Sequence, residues 1–173
     1  SQQNDPTTNF GSEDKMECRD NNSREKNCYI KFDVSGVSGT IESAIFRART
    51  ESNPIDDLTI HAVADTSWDE MTLTWNNAPA IGGALDMVLS PDTEAWFELD
   101  VTSVITGDGL YSFALKTTQN DNSRNISTKE SAYPPELVLT YAVTSNNAPA
   151  FTSDPVVEVN ATEDVAYSSS IAD

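Results

Sequence analysis

The strongest constraint on this chain is a series of eight short stretches in which apolar and polar residues alternate. They fall near 15–20, 27–33, 43–51, 58–64, 71–75, 95–101, 110–117 and 135–142, with clusters of Gly, Asn, Asp and Pro between them. Successive side chains of a strand point to opposite faces, so each stretch can lay one face on a core and the other in water. Nothing reads as a long amphipathic helix, although 101–106 has room for one turn. Many short strands with frequent turn signals predict an all-β, antiparallel sandwich of jelly-roll type.

The stretch Thr66–Ala80, TSWDEMTLTWNNAPA, stands out because it holds two of the three tryptophans, Trp68 and Trp75. Met71 to Trp75 alternates as a strand does, with β-branched and aromatic residues suited to a pleated surface. Asn76-Asn77-Ala78-Pro79 then ends it, since asparagine tolerates turn geometry and proline lacks a ladder donor. The two indoles are expected to seat a loop on a sheet, with stacking on a ligand as the other reading. Cys18 shares parity with Met16, and Cys28 with Ile30 and Phe32, so both face inward from adjacent strands joined over 21–26. Facing Cβ atoms on neighbouring strands can meet disulfide geometry, and an oxidising compartment would keep the bond.

Net charge is −18, from 28 acidic and 10 basic residues. That balance argues against nucleic acid, where phosphate neutralisation needs clustered Lys and Arg. No apolar run approaches the ~20 residues of a membrane-spanning helix. By parity, Lys15, Arg19, Lys31, Arg47, Arg49 and Lys116 all point away from the core. Taken singly, such residues solubilise a strand. Clustered on one sheet they would form a positive groove suited to a carboxylated or sulfated chain. Trp96 shares the parity of Asp100, opposite Phe97, Leu99 and Val101. It is therefore a candidate sugar platform, or a lid over the sandwich edge.

Several motifs together resemble carbohydrate-binding module family 96, the DNRLRE-type sandwich domains of secreted bacterial proteins. Trp68, Glu70, Thr74, Trp75, Asn76 and Pro79 stand where its members read Trp-x-Glu, Thr-Trp-Asn and a nearby proline. Tyr29-Ile30-Lys31-Phe32-Asp33 is similar to the early "YLKFD" strand, and Trp96 with Asp100-Val101-Thr102 to "W…DVT". Thr128-Lys129-Glu130 replaces the usual Ser-Arg-Glu, and Pro134-Pro135-Glu136-Leu137 matches "PPxL". The resemblance runs over about residues 9 to 141. It implies that Trp68, Glu70, Trp75, Asn76, Pro79, Asp100, Lys129 and Glu130 are structural, and that the ligand is an alginate-like acidic polymer. Members usually carry an "ADAYV" strand just before this point; its absence predicts an unfilled sheet edge or groove.

After Tyr141 the composition changes. The module is expected over 1–143 and a polar linker over 144–149; 150–173 resembles the start of a cadherin-like or immunoglobulin-like repeat, too short for its own core. The opening Ser-Gln-Gln-Asn, without methionine, suggests a mature or excised piece of a longer protein.

Catalysis finds little support. His61 is the one histidine, on a strand with no partner tyrosine motif, and Asp69 and Glu70 would diverge along a strand. Asp56, Asp57, Asp65 and Asp121 offer loop oxygens for a structural calcium, which stays open; no other cofactor is expected. The expectation is a secreted, non-catalytic, monomeric module of a multidomain bacterial protein, binding an anionic polysaccharide through Lys31, Arg47, Arg49, His61, Trp96 and Lys116. An adhesive spacer that binds no sugar is the alternative.

Overall fold

A computed structural model describes residues 1–21, 23–51, 57–118 and 124–143. Among the described residues the strands are β1 (Lys15–Cys18), β2 (Cys28–Val34), β3 (Gly39–Arg49), β4 (Asp57–Val63), β5 (Ala84–Leu89), β6 (Trp96–Asp100), β7 (Gly109–Lys116), β8 (Arg124–Ser127) and β9 (Glu136–Val143). Every pairing is antiparallel. One sheet runs β2-β7-β4-β5, a second β6-β3-β9, and a small third pairs β1 with β8. Thr50, just past β3, bridges to Ile126, so β8 continues beside the end of the three-stranded sheet.

Inward side chains of the two larger sheets make the core. Phe46, Ala48, Phe97 and Leu99 come from one, and Leu58, Ile60, Phe113 and Leu115 from the other. The Phe32 ring meets Phe46 across the interior at 6.2 Å, edge to face. Fully burying such side chains contributes roughly 1.5–3 kcal/mol each. Cys18 and Cys28 form a disulfide, Cα atoms 5.9 Å apart, that ties β1 to β2.

Seven of the eight expected strands are present, with ends shifted by a few residues. The exception is 71–75, which turns instead. Its backbone is satisfied locally: the Thr72 and Leu73 amides donate to the Asp69 carbonyl and the Met71 amide to the Asp69 carboxylate. Thr74 N–H donates to Asn77 Oδ1, 2.6 Å away. Asx capping of this kind competes with a ladder, and here it overrides the β-type alternation. Two strands went unforeseen: β5, a short apolar run after Gly82-Gly83, and β8, only four residues long. The expected turn is a 3-10 helix at Thr102–Val104. The linker and the expected repeat after it lie outside the described residues.

The segment from Ala64 to Gly83, joining β4 to β5, lies across the outer face of the four-stranded sheet. Trp68 Nε1–H donates to Ser112 Oγ on β7 (2.8 Å) and its ring meets Tyr29 edge-on. Tyr29 O–H donates to the Pro79 carbonyl at 3.0 Å, and Gly82 O lies 3.1 Å from His61 Nδ1. Lys31 donates to the carbonyls of Thr66 (3.2 Å) and Trp68 (2.5 Å), with its ammonium over the Trp68 ring. From the other side Asn9 donates to the carbonyls of Glu70 and Leu73, and Asn76 N–H donates to Pro6 O. So the tryptophan motif holds a lid over one sheet, as expected of its residues.

Three outcomes check this arrangement. Trp68 is half-buried, so Trp68→Ala should lower unfolding free energy by about 2–4 kcal/mol, at or below the range for a fully buried tryptophan; chemical denaturation measures it, and an unchanged midpoint would contradict the lid. Reducing the disulfide, which closes a ten-residue span, should cost about 2–3 kcal/mol from loop entropy. Burial, and secondarily the charge of Glu25, raise the Tyr29 phenol from 10.0 to about 12. The folded chain therefore holds that proton more tightly: the contribution is intact below pH 10 and lost as pH climbs toward 12. Melting temperature should fall less steeply over that window in Tyr29→Phe; an identical slope would contradict it.

Candidate functional site: an aromatic and arginine face

The outer face of β6-β3-β9 carries no such lid among the described residues. Arg47 and Arg49 project from the central strand β3, as their parity predicted. Trp96 opens β6 on one side, and Tyr133 stands just before β9 on the other. The Arg47 guanidinium lies over the Trp96 ring at 5.1 Å, and that of Arg49 over Tyr133 at 4.3 Å. Both rings remain accessible, Trp96 at 38% and Tyr133 at 47%. Two cations thus bridge two exposed aromatic rings across the sheet, and partly exposed Val138 extends the surface.

Acidic neighbours fix the guanidinium groups in place. Arg47 Nη1 donates to Glu136 at 2.9 Å, and its Nε sits 3.0 Å from Glu98 without an aligned hydrogen bond. Arg49 Nη1 is 3.7 Å from Glu51. Exposed pairs of this type contribute little stability, generally below about 1 kcal/mol. Their effect is positional, since a guanidinium stacked on a ring and held at one edge keeps other N–H donors in a fixed plane.

The other expected ligand residues lie elsewhere. Lys31, His61 and Lys116 belong to the four-stranded sheet, on the opposite outer face from Arg47 and Arg49. Lys31 and His61 contact the lid, and Lys116 pairs with Glu25 at 2.9 Å. The single positive groove therefore does not form. Parity placed Lys31, Arg47, Arg49 and Lys116 on outer faces correctly, whereas Arg19, just past β1, has its Nε buried; parity does not encode which sheet a strand joins. Tyr133 was missed; the only signal was an aromatic residue directly before Pro134-Pro135.

The structural motif residues are occupied as framework. Asp100 Oδ1 accepts from Thr102 N–H at 2.8 Å beside the 3-10 turn, and hydrogen bonding from the Thr102 side chain and then its backbone holds the carboxyl below the usual range. Thr102 Oγ1 in turn accepts from Ala44 N–H. Lys129 joins Glu70 of the lid at 3.0 Å and also Glu130, which raises its own pKa and lowers that of Glu130. Trp75 is half-buried.

Of the calcium candidates, Asp57 accepts from Thr117 Oγ1, Thr118 N–H and Thr118 Oγ1, and Asp65 from Ser67. Asp56 and Asp121 lie outside the described residues. Among those described, no three His, Cys, Asp or Glu side chains converge as metal ligands, and no helix is long and apolar enough to cross a membrane.

An antiparallel sandwich with one outer face covered and one open among the described residues is an architecture that binding modules and enzymes share. The chain belongs to carbohydrate-binding module family 96, whose model matches residues 1–141. It is also 30% identical over 126 residues to a gellan lyase from a Bacillus species. That match covers 64% of this chain, but the chain spans only 5% of the lyase.

Proposed function

We propose that this module holds an acidic polysaccharide on the outer face of β6-β3-β9, as part of a larger secreted polysaccharide-degrading protein. The observation that carries this reading is the pair of stacked contacts, Arg47 on Trp96 and Arg49 on Tyr133. Ring faces cover the apolar C–H surface of a sugar, and guanidinium donors beside them meet carboxylate or hydroxyl oxygens. Family membership supports a carbohydrate ligand, and similarity to part of a gellan lyase supports a parent that acts on polysaccharide. Tethering of this kind raises the local concentration of polymer at a catalytic domain. Alginate, implied by the motifs, and gellan, suggested by the relative's name, are the first polymers to test.

A net charge of −18 does not forbid an acidic ligand, because exposed charges beyond roughly 8–10 Å are largely screened at physiological salt. Nearer charges matter more, and Glu98 and Glu136 flank Arg47. That observation favours a second reading, a neutral polymer laid on the same rings with the guanidinium donors taken by hydroxyls.

Affinity electrophoresis in alginate, gellan and a neutral glucan separates the two. Trp96→Ala should weaken retention by about tenfold or more, equivalent to about 1.4 kcal/mol, and Arg47→Ala should do so for acidic gels. Retention in alginate or gellan should fall as salt rises. Retention in the glucan alone would select the neutral reading, and full retention by Trp96→Ala would remove the site from this face. An unaltered module that binds no gel would make it a spacer.

A further inference from the structure

The pairing register divides the open face into rows that cross its strands. One row sets Trp96 of β6 against Arg49 of β3, whose guanidinium lies over the Tyr133 ring on the other side. The next row aligns Glu98, Arg47 and Glu136. A third holds Asp100, Ile45 and Val138, and there Asp100 accepts from Thr102 N–H. Neighbouring rows are two residues apart along a strand, roughly 7 Å.

The rows differ in charge. Arg47 stands between two carboxylates, 2.9 Å from Glu136 and 3.0 Å from Glu98, so its row carries a net negative charge. Arg49 is engaged less. Its carboxylate neighbour, Glu51, is 3.7 Å away and also accepts from Ser127 Oγ. Among the described residues the Arg49 guanidinium donates no hydrogen bond, yet none of its nitrogens is shut away from water as Arg47 Nε is. The first row therefore offers one cation with unspent donors between two accessible rings. The row beside it repels a carboxylate.

A chain of sugars laid along the first row crosses the strands and meets ring, cation and ring in turn. A polymer with a carboxylate on every sugar brings more negative charge than Arg49 answers. It also places that charge beside Glu98 and Glu136, inside the ~8–10 Å over which charges act at physiological salt. A wholly neutral polymer leaves the Arg49 donors without a carboxylate.

We propose that this face selects its ligand by charge spacing. It takes a polysaccharide that carries a carboxylate on a minority of its sugars, with one carboxylate on Arg49 and uncharged sugars on Trp96 and Tyr133. The row of Glu98, Arg47 and Glu136 disfavours densely charged chains. This inference rests on the acidic-polymer reading above and narrows it.

The test is affinity electrophoresis of the 173-residue chain at fixed ionic strength. The gels hold alginate whose carboxylates have been reduced stepwise to hydroxymethyl groups, from fully charged to neutral. Retention should peak where a minority of sugars is charged, above both ends by about threefold, the size of effect an exposed charge pair supplies. Joint Glu98→Gln and Glu136→Gln substitution should raise retention in fully charged alginate by a similar factor and move the peak toward higher charge. Arg49→Gln should flatten the series, so that partly reduced and neutral polymer are retained alike. If Arg49→Gln does not fold, the series on the unaltered chain and on the glutamine pair decides. Retention that climbs steadily to the fully charged polymer would overturn the inference and leave the acidic reading standing, and so would a peak that the glutamine pair leaves in place. A maximum at the neutral end, or no retention in any gel, would overturn both.

Discussion

The organisation of this molecule depends on how the outer face of its four-stranded sheet is covered. A sandwich has two outer faces, and here one is closed by the segment between β4 and β5, pinned through the Lys31 ammonium, the Tyr29 hydroxyl and the Trp68 indole. Each pin joins a side chain of the sheet to backbone or ring of the lid, so carbonyls that would otherwise be covered and unpaired find donors. The consequence is an asymmetric module. One outer face is covered, and the other, on β6-β3-β9, is uncovered among the described residues.

That asymmetry explains why the same residue types do different work on the two sides. Lys31 over Trp68 and Arg47 over Trp96 are both cations on indoles. The first is half-buried beneath a loop with two carbonyls as acceptors, so it holds the fold. The second lies on an exposed face with carboxylates at its edges, and its ring stays accessible. Charge, then, is a poor guide by itself in a chain at −18. What a cation does depends on what already accepts its hydrogen bonds.

Much of the sandwich was legible because strand alternation is a local signal. Phe46 and Ala48 inward, Arg47 and Arg49 outward, and Cys18 and Cys28 inward all follow from parity; the expected hairpin of adjacent strands does not form, because β1 pairs with β8 and β2 with β7, and the disulfide joins strands of different sheets. The assignment of strands to sheets was not legible, because it is decided by pairing partners distant in sequence; hence Lys31 was grouped with Arg47 although they face opposite sides. Residues 71–75 misled for a different reason: Asp69 and Asn77 satisfy their backbone before any neighbouring strand can. Strand β8 was hidden by its length, and Tyr133 by its position in a turn. Several residues of the family motifs, Trp68, Glu70, Asn76 and Pro79, lie in the lid and make its contacts.

The central claim is the proposal that Trp96, on the open sheet face, meets the ligand, while Trp68, whose indole donates to Ser112, and Trp75, in the same lid segment, do not. Labelling the chain with 5-fluorotryptophan gives one fluorine resonance per indole, and titration with alginate oligomers reads all three at once. The account predicts that the Trp96 resonance moves with ligand while those of Trp68 and Trp75 stay in place. A shift of Trp68 or Trp75 with Trp96 unmoved would contradict it.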